Sequence, residues 1–172
     1  MGNAGEGKWA LREAQAGDVE FEYQLFASVR GPEFKAVGWQ DAPLDLFLRD
    51  QFRMQTQHYR NAFPDLKKEM ITIAGHRGGR LLTRGGEERV HIVDIALLPE
   101  FRGLGIGSAI LAELLKRADV LGLPASLHVE RENPARSWYA RRGFVEGAAQ
   151  GPYLYMERAP HQGAGERIWT GS

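Results

Sequence analysis

The segment VHIVDIALLPEFRGLGIGS, residues 90–108, joins a mostly apolar stretch to a turn that contains three glycines. Residues 90–98 are rich in β-branched side chains, which predicts a central strand that is buried on both faces. Gly103, Gly105 and Gly107 follow at alternate positions, and an amphipathic helical pattern begins directly after them. Glycine lets a ligand approach the main chain, and the first amides of a helix have no partner inside it. Such a turn can hold a phosphate group, although a glycine-rich connection needed only for tight packing is an alternative.

Two known phosphate-binding patterns differ from this turn. No Gly-Lys-Ser or Gly-Lys-Thr follows the glycines, so the segment is not a P-loop. The spacing is G-x-G-x-G, whereas a dinucleotide-binding fold uses G-x-G-x-x-G close behind its strand, and here residues 99–102 intervene. Glu130 ends the next predicted strand, where an acid that binds a ribose would lie. A Rossmann-type nucleotide-binding oxidoreductase therefore remains an alternative.

Outward from this segment, the chain predicts alternating strands and helices. The expected elements are a strand at 9–14, a helix from Asp18 as N-cap to about Gly31-Pro32, a helix at 41–63, a hairpin of 69–74 with 79–83, a helix at 107–121, a strand at 126–130, a short helix at 133–142, and a hairpin of 144–145 with 153–156. This order predicts one mixed α/β domain over residues 8–158. Residues 1–7 are expected to form a flexible arm and residues 159–172 a disordered tail.

The composition favours a globular intracellular protein. The 172 residues contain 43% hydrophobic and 26% charged residues, which suits one domain with a sizeable core. Lysine plus arginine and aspartate plus glutamate both number 22, and this neutrality argues against a nucleic-acid partner. The absence of cysteine excludes disulfides, thiolate metal sites and a cysteine nucleophile. No signal peptide and no apolar run of about 18 residues is present, so we expect a cytoplasmic protein with no membrane partner.

Two motifs give the sequence a resemblance to a known family. Residues 102–107, Arg-Gly-Leu-Gly-Ile-Gly, match Q/R-x-x-G-x-G/A, the signature of the GNAT acetyltransferase superfamily. Residues 133–144 are similar to the second signature of that family, an Asn that leads to Tyr-x-x-x-Gly-Phe, and the two lie in the expected order. The resemblance covers residues 69–158 closely and residues 8–68 more loosely. It implies the GNAT fold, an α/β fold with a central, mostly antiparallel sheet flanked by helices.

The resemblance also implies acetyl-CoA as co-substrate, and no metal. The main chain of the central strand would pair with the pantetheine arm, the turn amides would hold the pyrophosphate with an arginine at the rim, and an asparagine would meet the cofactor near the thioester. The cofactor-binding residues implied in this way are Ile95, Ala96, Leu97, Arg102, Gly103, Leu104, Gly105, Ile106, Gly107, Ser108 and Asn133. One departure is that Asn133 precedes Tyr139 by six residues, whereas many members of the family have seven.

For catalysis, the resemblance makes Tyr139 the general acid that protonates the departing thiolate. The family often places a glutamate base early on the central strand or on the strand after the glycine helix, and His91 and His128 stand at those positions. Histidine is a competent base near neutral pH. Glu130, Asp94 and a water relay are alternatives, and each histidine has an ordinary hydrogen-bonded role as its own alternative.

The implied activity is acetyl-CoA-dependent N-acetylation of a primary amine on a small molecule, peptide or protein. Without cysteine no acyl-cysteine intermediate can form, so direct transfer is expected. Gln55, His58 and Tyr59 are the candidate acceptor-binding residues, on the second predicted helix. A non-catalytic module that senses acyl-CoA is an alternative from another class. Homodimers are common in the family, so a homodimer is a further expectation.

Overall fold

The computed structural model describes residues 8–161, and the expected arm at 1–7 and most of the expected tail, residues 162–172, lie outside that range. The elements are β1 (Trp9–Glu13), α1 (Val19–Ala36), α2 (Asp41–Ala62), β2 (Leu66–Ile73), β3 (His76–Gly85), β4 (Val90–Leu97), α3 (Ile106–Leu121), β5 (Ala125–Glu130), α4 (Ala135–Ala140), β6 (Val145–Gln150) and β7 (Tyr153–Arg158), with 3-10 turns at Ala16–Asp18 and Pro99–Phe101. The strands form one sheet in the order β1-β2-β3-β4-β5-β7-β6, in which β4 and β5 are parallel. The expected α/β fold with a mostly antiparallel sheet flanked by helices is confirmed.

By their contacts the residues divide into two units, the first formed by the chain up to Arg84 with Asp94–Ile110 and the second by Gly85–Val93 with the chain from Leu111 onward. In the first unit, β1, β2 and β3 pair antiparallel. The helices α1 and α2 pack through a cluster of buried side chains, namely Tyr23, Phe26, Leu44, Leu48 and Phe52. A second cluster joins Phe21 and Leu25 of α1 to Met70 of β2, with Ala96 and Leu98 packed against it. The first unit therefore has its own apolar core.

The first helix is longer than the sequence predicts. The expected end at Gly31-Pro32 is wrong, because α1 continues to Ala36. Proline in a helix interior removes one hydrogen bond, which normally ends or kinks a helix. Here the extra turn buries apolar surface, since the ring of Phe34 lies 5.1 Å from that of Phe47 on α2. Tertiary packing thus outweighs the local preference of proline.

Asp18 is the N-cap residue of α1, as the sequence predicts, but its side chain makes no capping hydrogen bond to the helix. Its carboxylate accepts hydrogen bonds from Arg12 at 2.8 and 2.9 Å, from the amide of Gln15 at 2.8 Å and from Arg77 Nε at 2.7 Å. These donors hold the pKa of the buried Asp18 carboxyl far below its usual range, and the hydrogen bond from Arg12 is the largest cause. Asp18 therefore ties β1 and β3 to the start of α1.

The central strand is less buried than its apolar sequence predicts. Only Ile92 of β4 is fully buried, and the other residues of the strand are half-buried, so the expectation of burial on both faces is wrong. The pairing with β5 covers Val90 to Ile92 and stops there. The later residues of β4 extend past the region that β5 covers, which explains their partial exposure.

In the second unit, most of the buried apolar residues come from one helix and two strands. They are Leu111, Leu114, Leu115 and Ala118 of α3, Ala125, Leu127 and Val129 of β5, and Leu154 and Met156 of β7, and Ile92 of β4 and Phe144 are buried as well. Arg158 binds Asp119 through two hydrogen bonds of 2.8 and 3.0 Å, and the amide of His161 donates to the same carboxylate at 2.8 Å. No helix within residues 8–161 is long and apolar enough to cross a membrane.

Candidate active site

The glycine turn has a backbone that only glycine adopts easily. Gly103 and Gly105 have φ angles of +72° and +81°, in the left-handed region. The helix α3 begins at Ile106, and its first backbone hydrogen bond runs from Ala109 to the carbonyl of Gly105 at 3.0 Å. The amides of Ile106, Gly107 and Ser108 are thus the first of the helix, where the helix dipole adds partial positive charge. The turn combines exposed main chain with a helix N-terminus.

Arg102 connects this turn to β4. Its Nε donates to the carbonyl oxygen of Leu97 at 2.9 Å, and its Nη2 lies 3.4 Å from Ser28 Oγ on α1. The amide of Leu98 donates to Gly78 of β3 at 2.9 Å, so the carbonyl of Leu97 faces the opposite edge of β4. Arg102 therefore stabilises the end of the strand in addition to any role at the rim of the turn.

The two candidate bases are neighbours on adjacent strands. His91 pairs with Ser126 in the β4–β5 register, and its Nδ1 lies 2.8 Å from Ser126 Oγ. The ring centroids of His91 and His128 are 5.2 Å apart, and His128 lies 5.3 Å from the ring of Tyr155. Desolvation lowers the pKa of His128 from its ordinary value, which favours the neutral imidazole that a base requires. The two histidines thus form one cluster with Tyr155 on the second unit.

Tyr139 lies on α4, and aromatic residues close to it in sequence pack against its ring. Its ring contacts those of Trp138 and Phe144 at centroid distances of 4.9 and 5.7 Å. Its carbonyl accepts from the amides of Arg142 and Phe144 at 2.9 and 3.3 Å, where Gly143, with a φ of +89°, ends the helical segment. The motif that ends in Gly-Phe therefore fixes the backbone at Tyr139.

Asn133 precedes α4, and its side chain is engaged locally. The Oδ1 of Asn133 accepts from the amide of Ala135 at 2.9 Å, which is an Asx turn at the start of the helical segment. The helix is shorter than the expected 133–142, because this turn takes the place of its first residues. A contact from the side chain of Asn133 to a cofactor would use its amide nitrogen as donor or the second lone pair of Oδ1 as acceptor.

The three candidate acceptor residues divide between two cavities of the first unit. Gln55 and His58 line a cavity of about 430 Å³ between α1 and α2, together with Phe26, Arg30, Phe47 and Met54. Tyr59 lines a different cavity of about 210 Å³ against β2 and β3. Gln55 and His58 therefore share one cavity, and Tyr59 lines the other, although the ring centroids of His58 and Tyr59 are only 6.1 Å apart.

Two positions on β3, next to the candidate cofactor strand β4, are absent from the sequence-based set. A Cβ at Gly79 would lie 2.3 Å from the carbonyl oxygen of Ala96, so β3 and β4 approach too closely for any side chain there. Arg80 donates to Asp94 of β4 at 2.9 Å and is only 7% exposed. A glycine pair within a strand is the sequence signal that could have indicated the close approach. Nothing in the sequence indicates that Arg80 is buried.

The model of the acetyltransferase (GNAT) family matches residues 23–144, and the chain belongs to that family. The protein is therefore an N-acetyltransferase, which confirms the expected family and enzyme class. Among curated proteins, no sequence matches the chain significantly.

Solved acetyltransferase structures share the fold at low sequence identity. The PaiA N-acetyltransferase from Thermoplasma acidophilum, in complex with coenzyme A, has a TM-score of 0.64 at 17% identity, over 88% of this chain and 99% of that chain. The ribosomal-protein-S18-alanine N-acetyltransferase from Escherichia coli has a TM-score of 0.63 at 16% identity, over 94% and 99%. A spermidine N-acetyltransferase chimera from Vibrio cholerae and hSSAT has a TM-score of 0.60 at 20% identity, over 88% and 95%. At these identities the likeness establishes the fold alone.

Proposed function

We propose that the protein transfers an acetyl group from acetyl-CoA directly to a primary amine of a small molecule or peptide. The observation that carries this proposal is the turn between β4 and α3, with its left-handed Gly103 and Gly105 and the helix that starts at Ile106. It fits a pyrophosphate, because main-chain amides and a helix dipole bind anions without a dedicated side chain. The Rossmann-type alternative is wrong, because the chain belongs to the acetyltransferase family and its sheet is mostly antiparallel.

The residues around the turn leave room for the co-substrate. Gly103, Leu104 and Gly105 are exposed, and a Cβ at either glycine would meet no atom within 4 Å. The amides of residues 103–108 would hold the pyrophosphate, and the main chain of residues 95–97 would pair with the pantetheine arm. Acetyl-CoA supplies the activated acetyl group, and this chain supplies binding, orientation and proton transfer.

His128 is the better supported of the two candidates for the general base. A base must be neutral before it accepts the proton of the amine, and desolvation lowers the pKa of His128 in that direction. His91 has its Nδ1 engaged with Ser126, which suits a residue that orients the cluster. We therefore propose that His128 accepts the proton of the amine and that His91 orients the cluster.

Tyr139 is the proposed general acid. Its ring packs against those of Trp138 and Phe144, which supports a defined orientation of the phenol. A phenol can donate a proton to the thiolate that leaves when the amine attacks the thioester. The amide nitrogen of Asn133 would contact the same end of the cofactor, and a backbone amide near Leu97 would hold the oxyanion.

The acceptor is proposed to bind beside α2, whose candidate residues line two cavities. Gln55 and His58 offer polar groups in the first, among the apolar rings of Phe26 and Phe47, and Tyr59 lines the second. We propose residues 8–158 as the catalytic domain, acting as a homodimer. Because a chain without cysteine suits a reducing compartment, we place it in the cytoplasm.

The test measures release of free CoA with a panel of amines, and compares Tyr139→Phe with Tyr153→Phe. Tyr153 lies on β7 and is 45% exposed, so its variant removes a hydroxyl without touching the proposed site. We expect Tyr139→Phe to lower kcat at least about ten-fold, with little change in acetyl-CoA affinity. Acetyl-CoA binding without turnover on any amine would contradict the proposed transfer, and failure of acetyl-CoA to raise Tm would contradict the proposed cofactor site.

A further inference from the structure

The cavity of about 210 Å³ that contains Tyr59 lies between the C-terminal half of α2 and the strands β2 and β3, and we call it the α2–β3 cavity. Three cationic side chains line it, those of Arg60, Lys68 and Arg80, together with apolar groups that include Phe63 and Leu82. No aspartate or glutamate is among its lining residues. The cavity therefore combines positive charge with an apolar wall.

Arg80 is buried in a way that leaves one donor without an acceptor. The residue is 7% exposed, and its Nη2 donates to Asp94 at 2.9 Å. Its Nε is buried and has no hydrogen-bond partner among residues 8–161. An unpaired buried N–H of a charged group is costly and calls for an explanation. Because Arg80 also lines the cavity, an acceptor bound there is one explanation that the structure allows.

The charge balance around the cavity selects the kind of acceptor. Asp94 pairs with Arg80, and Glu22 lies 3.0 Å from Lys68 Nζ. The two carboxylates balance the charges of Lys68 and Arg80. The exposed Arg60 therefore leaves the cavity with one net positive charge. One negative charge would neutralise the site, which suits a carboxylate better than a phosphate dianion. A planar guanidinium also matches the two oxygens of a carboxylate.

We propose that the α2–β3 cavity binds the carboxylate of a small organic acid with a short apolar body. Arg80 and Arg60 donate to the carboxylate, and the apolar body lies against Phe63 and Leu82. The carboxylate can belong to the acetyl acceptor itself or to a separate acid, and both sources present the same chemistry to the cavity. Binding requires no acetyl transfer, so this inference stands apart from the proposed activity.

The first experiment measures binding by calorimetric titration of the full chain with benzoate, benzylamine and inorganic phosphate at equal ionic strength, without acetyl-CoA. We expect benzoate to bind and the other two to bind weakly or not at all. Arg60→Gln should weaken benzoate binding about three- to five-fold, as for the loss of one partly exposed charge contact. Arg53→Gln is the matched control, because Arg53 is an exposed arginine on the same helix that does not line the cavity.

Arg80→Lys provides a second variant, since it keeps the charge beside Asp94 and removes the Nε donor. We expect it to fold and to bind benzoate more weakly than Arg53→Gln does. Absence of benzoate binding to the folded protein, preference for phosphate, or equal effects of Arg60→Gln and Arg53→Gln would each overturn the proposal.

A kinetic arm separates the two sources of the carboxylate. If the carboxylate belongs to the acceptor, 4-(aminomethyl)benzoate should have a lower KM than benzylamine, and Arg60→Gln should raise KM for the first only. If it belongs to a separate acid, benzoate should bind without competing with the amine. Both results support the cavity assignment, whereas failure of all amines to release CoA would contradict the proposed function and leave the binding result intact.

Discussion

The substitution Gly79→Ala tests the close approach of β3 to β4 at the proposed cofactor strand. A Cβ at this position would lie 2.3 Å from the carbonyl oxygen of Ala96, 2.8 Å from Leu97 Cδ2 and 3.2 Å from Leu97 Cα. Cβ atoms essentially never approach other heavy atoms within 3.0 Å, so the first contact alone requires a shift of at least 0.7 Å (3.0 minus 2.3). The shift must come from the main chain, because the nearest atom is a backbone oxygen.

The expected cost follows from that rigidity. Extra volume in a well-packed region costs about 1–3 kcal/mol, and a contact with strand backbone belongs at the upper end, about 3 kcal/mol. In a chain of this size each kcal/mol lowers Tm by about 2–4 °C, so we expect a fall of about 6–12 °C. Since Ala96 and Leu97 belong to the main chain proposed to pair with the pantetheine arm, affinity for acetyl-CoA should fall as well.

The matched control is Gly85→Ala, at the end of the same strand, where a Cβ would meet no atom within 4 Å. Thermal unfolding followed by circular dichroism gives Tm, and calorimetric titration below both transitions gives the affinity for acetyl-CoA. The reasoning fails if Gly79→Ala melts within about 1 °C of Gly85→Ala, a difference below the cost of any overpacking. Loss of stability with unchanged affinity would confirm the close approach and remove β4 from the proposed cofactor site.

Three further predictions concern the turn, the base and the buried aspartate. In Gly105→Ala the alanine must adopt a left-handed backbone, which costs about 1–2 kcal/mol. We therefore expect this variant to bind acetyl-CoA more weakly than Gly86→Ala, the control in an open loop. Equal affinities of the two variants would exclude the turn from the cofactor site. If His128 is the base, its lowered pKa places the acidic limb of kcat/KM below about pH 6.5, and a limb that persists in His128→Gln would assign the base elsewhere. The carboxylate of Asp18 has a pKa below its unfolded value, so its contribution to stability is present above about pH 4 and is lost as pH falls further. Asp18→Asn should therefore lower Tm at pH 7 and flatten its dependence on pH below about 4, and unchanged melting curves across that range would contradict the role of this ion cluster.

The family, the strand before the glycine turn and the helix after it could be predicted because local sequence determines them. The left-handed angles at Gly103 and Gly105 require glycine wherever the chain folds in this way. The apolar periodicity after them specifies α3, whose inner residues, such as Ile110 and Leu111, are fully buried. Similarly, the motif places Gly143 where the chain adopts a left-handed backbone, in the turn that follows α4.

Other features depend on contacts between segments that are distant in sequence. Pro32 favours a helix end locally, and the packing of Phe34 on α2 overrides it. The composition of β4 predicts burial, but burial depends on how far the neighbouring strand extends, and β5 stops pairing after Ile92. Asp18 is a good cap residue by type, but its carboxylate binds two arginines from other elements instead of the helix amides.

The same limit explains why the acceptor residues are the least predictable part of the site. Helical spacing places Gln55, His58 and Tyr59 on one helix, and adjacent helical positions differ by about 100° in direction, so neighbours in sequence can face different cavities. Here His58 faces the space between α1 and α2, whereas Tyr59 faces β2 and β3 beside Arg80. The two cavities differ in chemistry, since one is mostly apolar and the other carries three cations. An acceptor with a carboxylate would therefore depend on the second, and kinetics of the Arg60→Gln variant would reveal a specificity determinant that the family signatures do not contain.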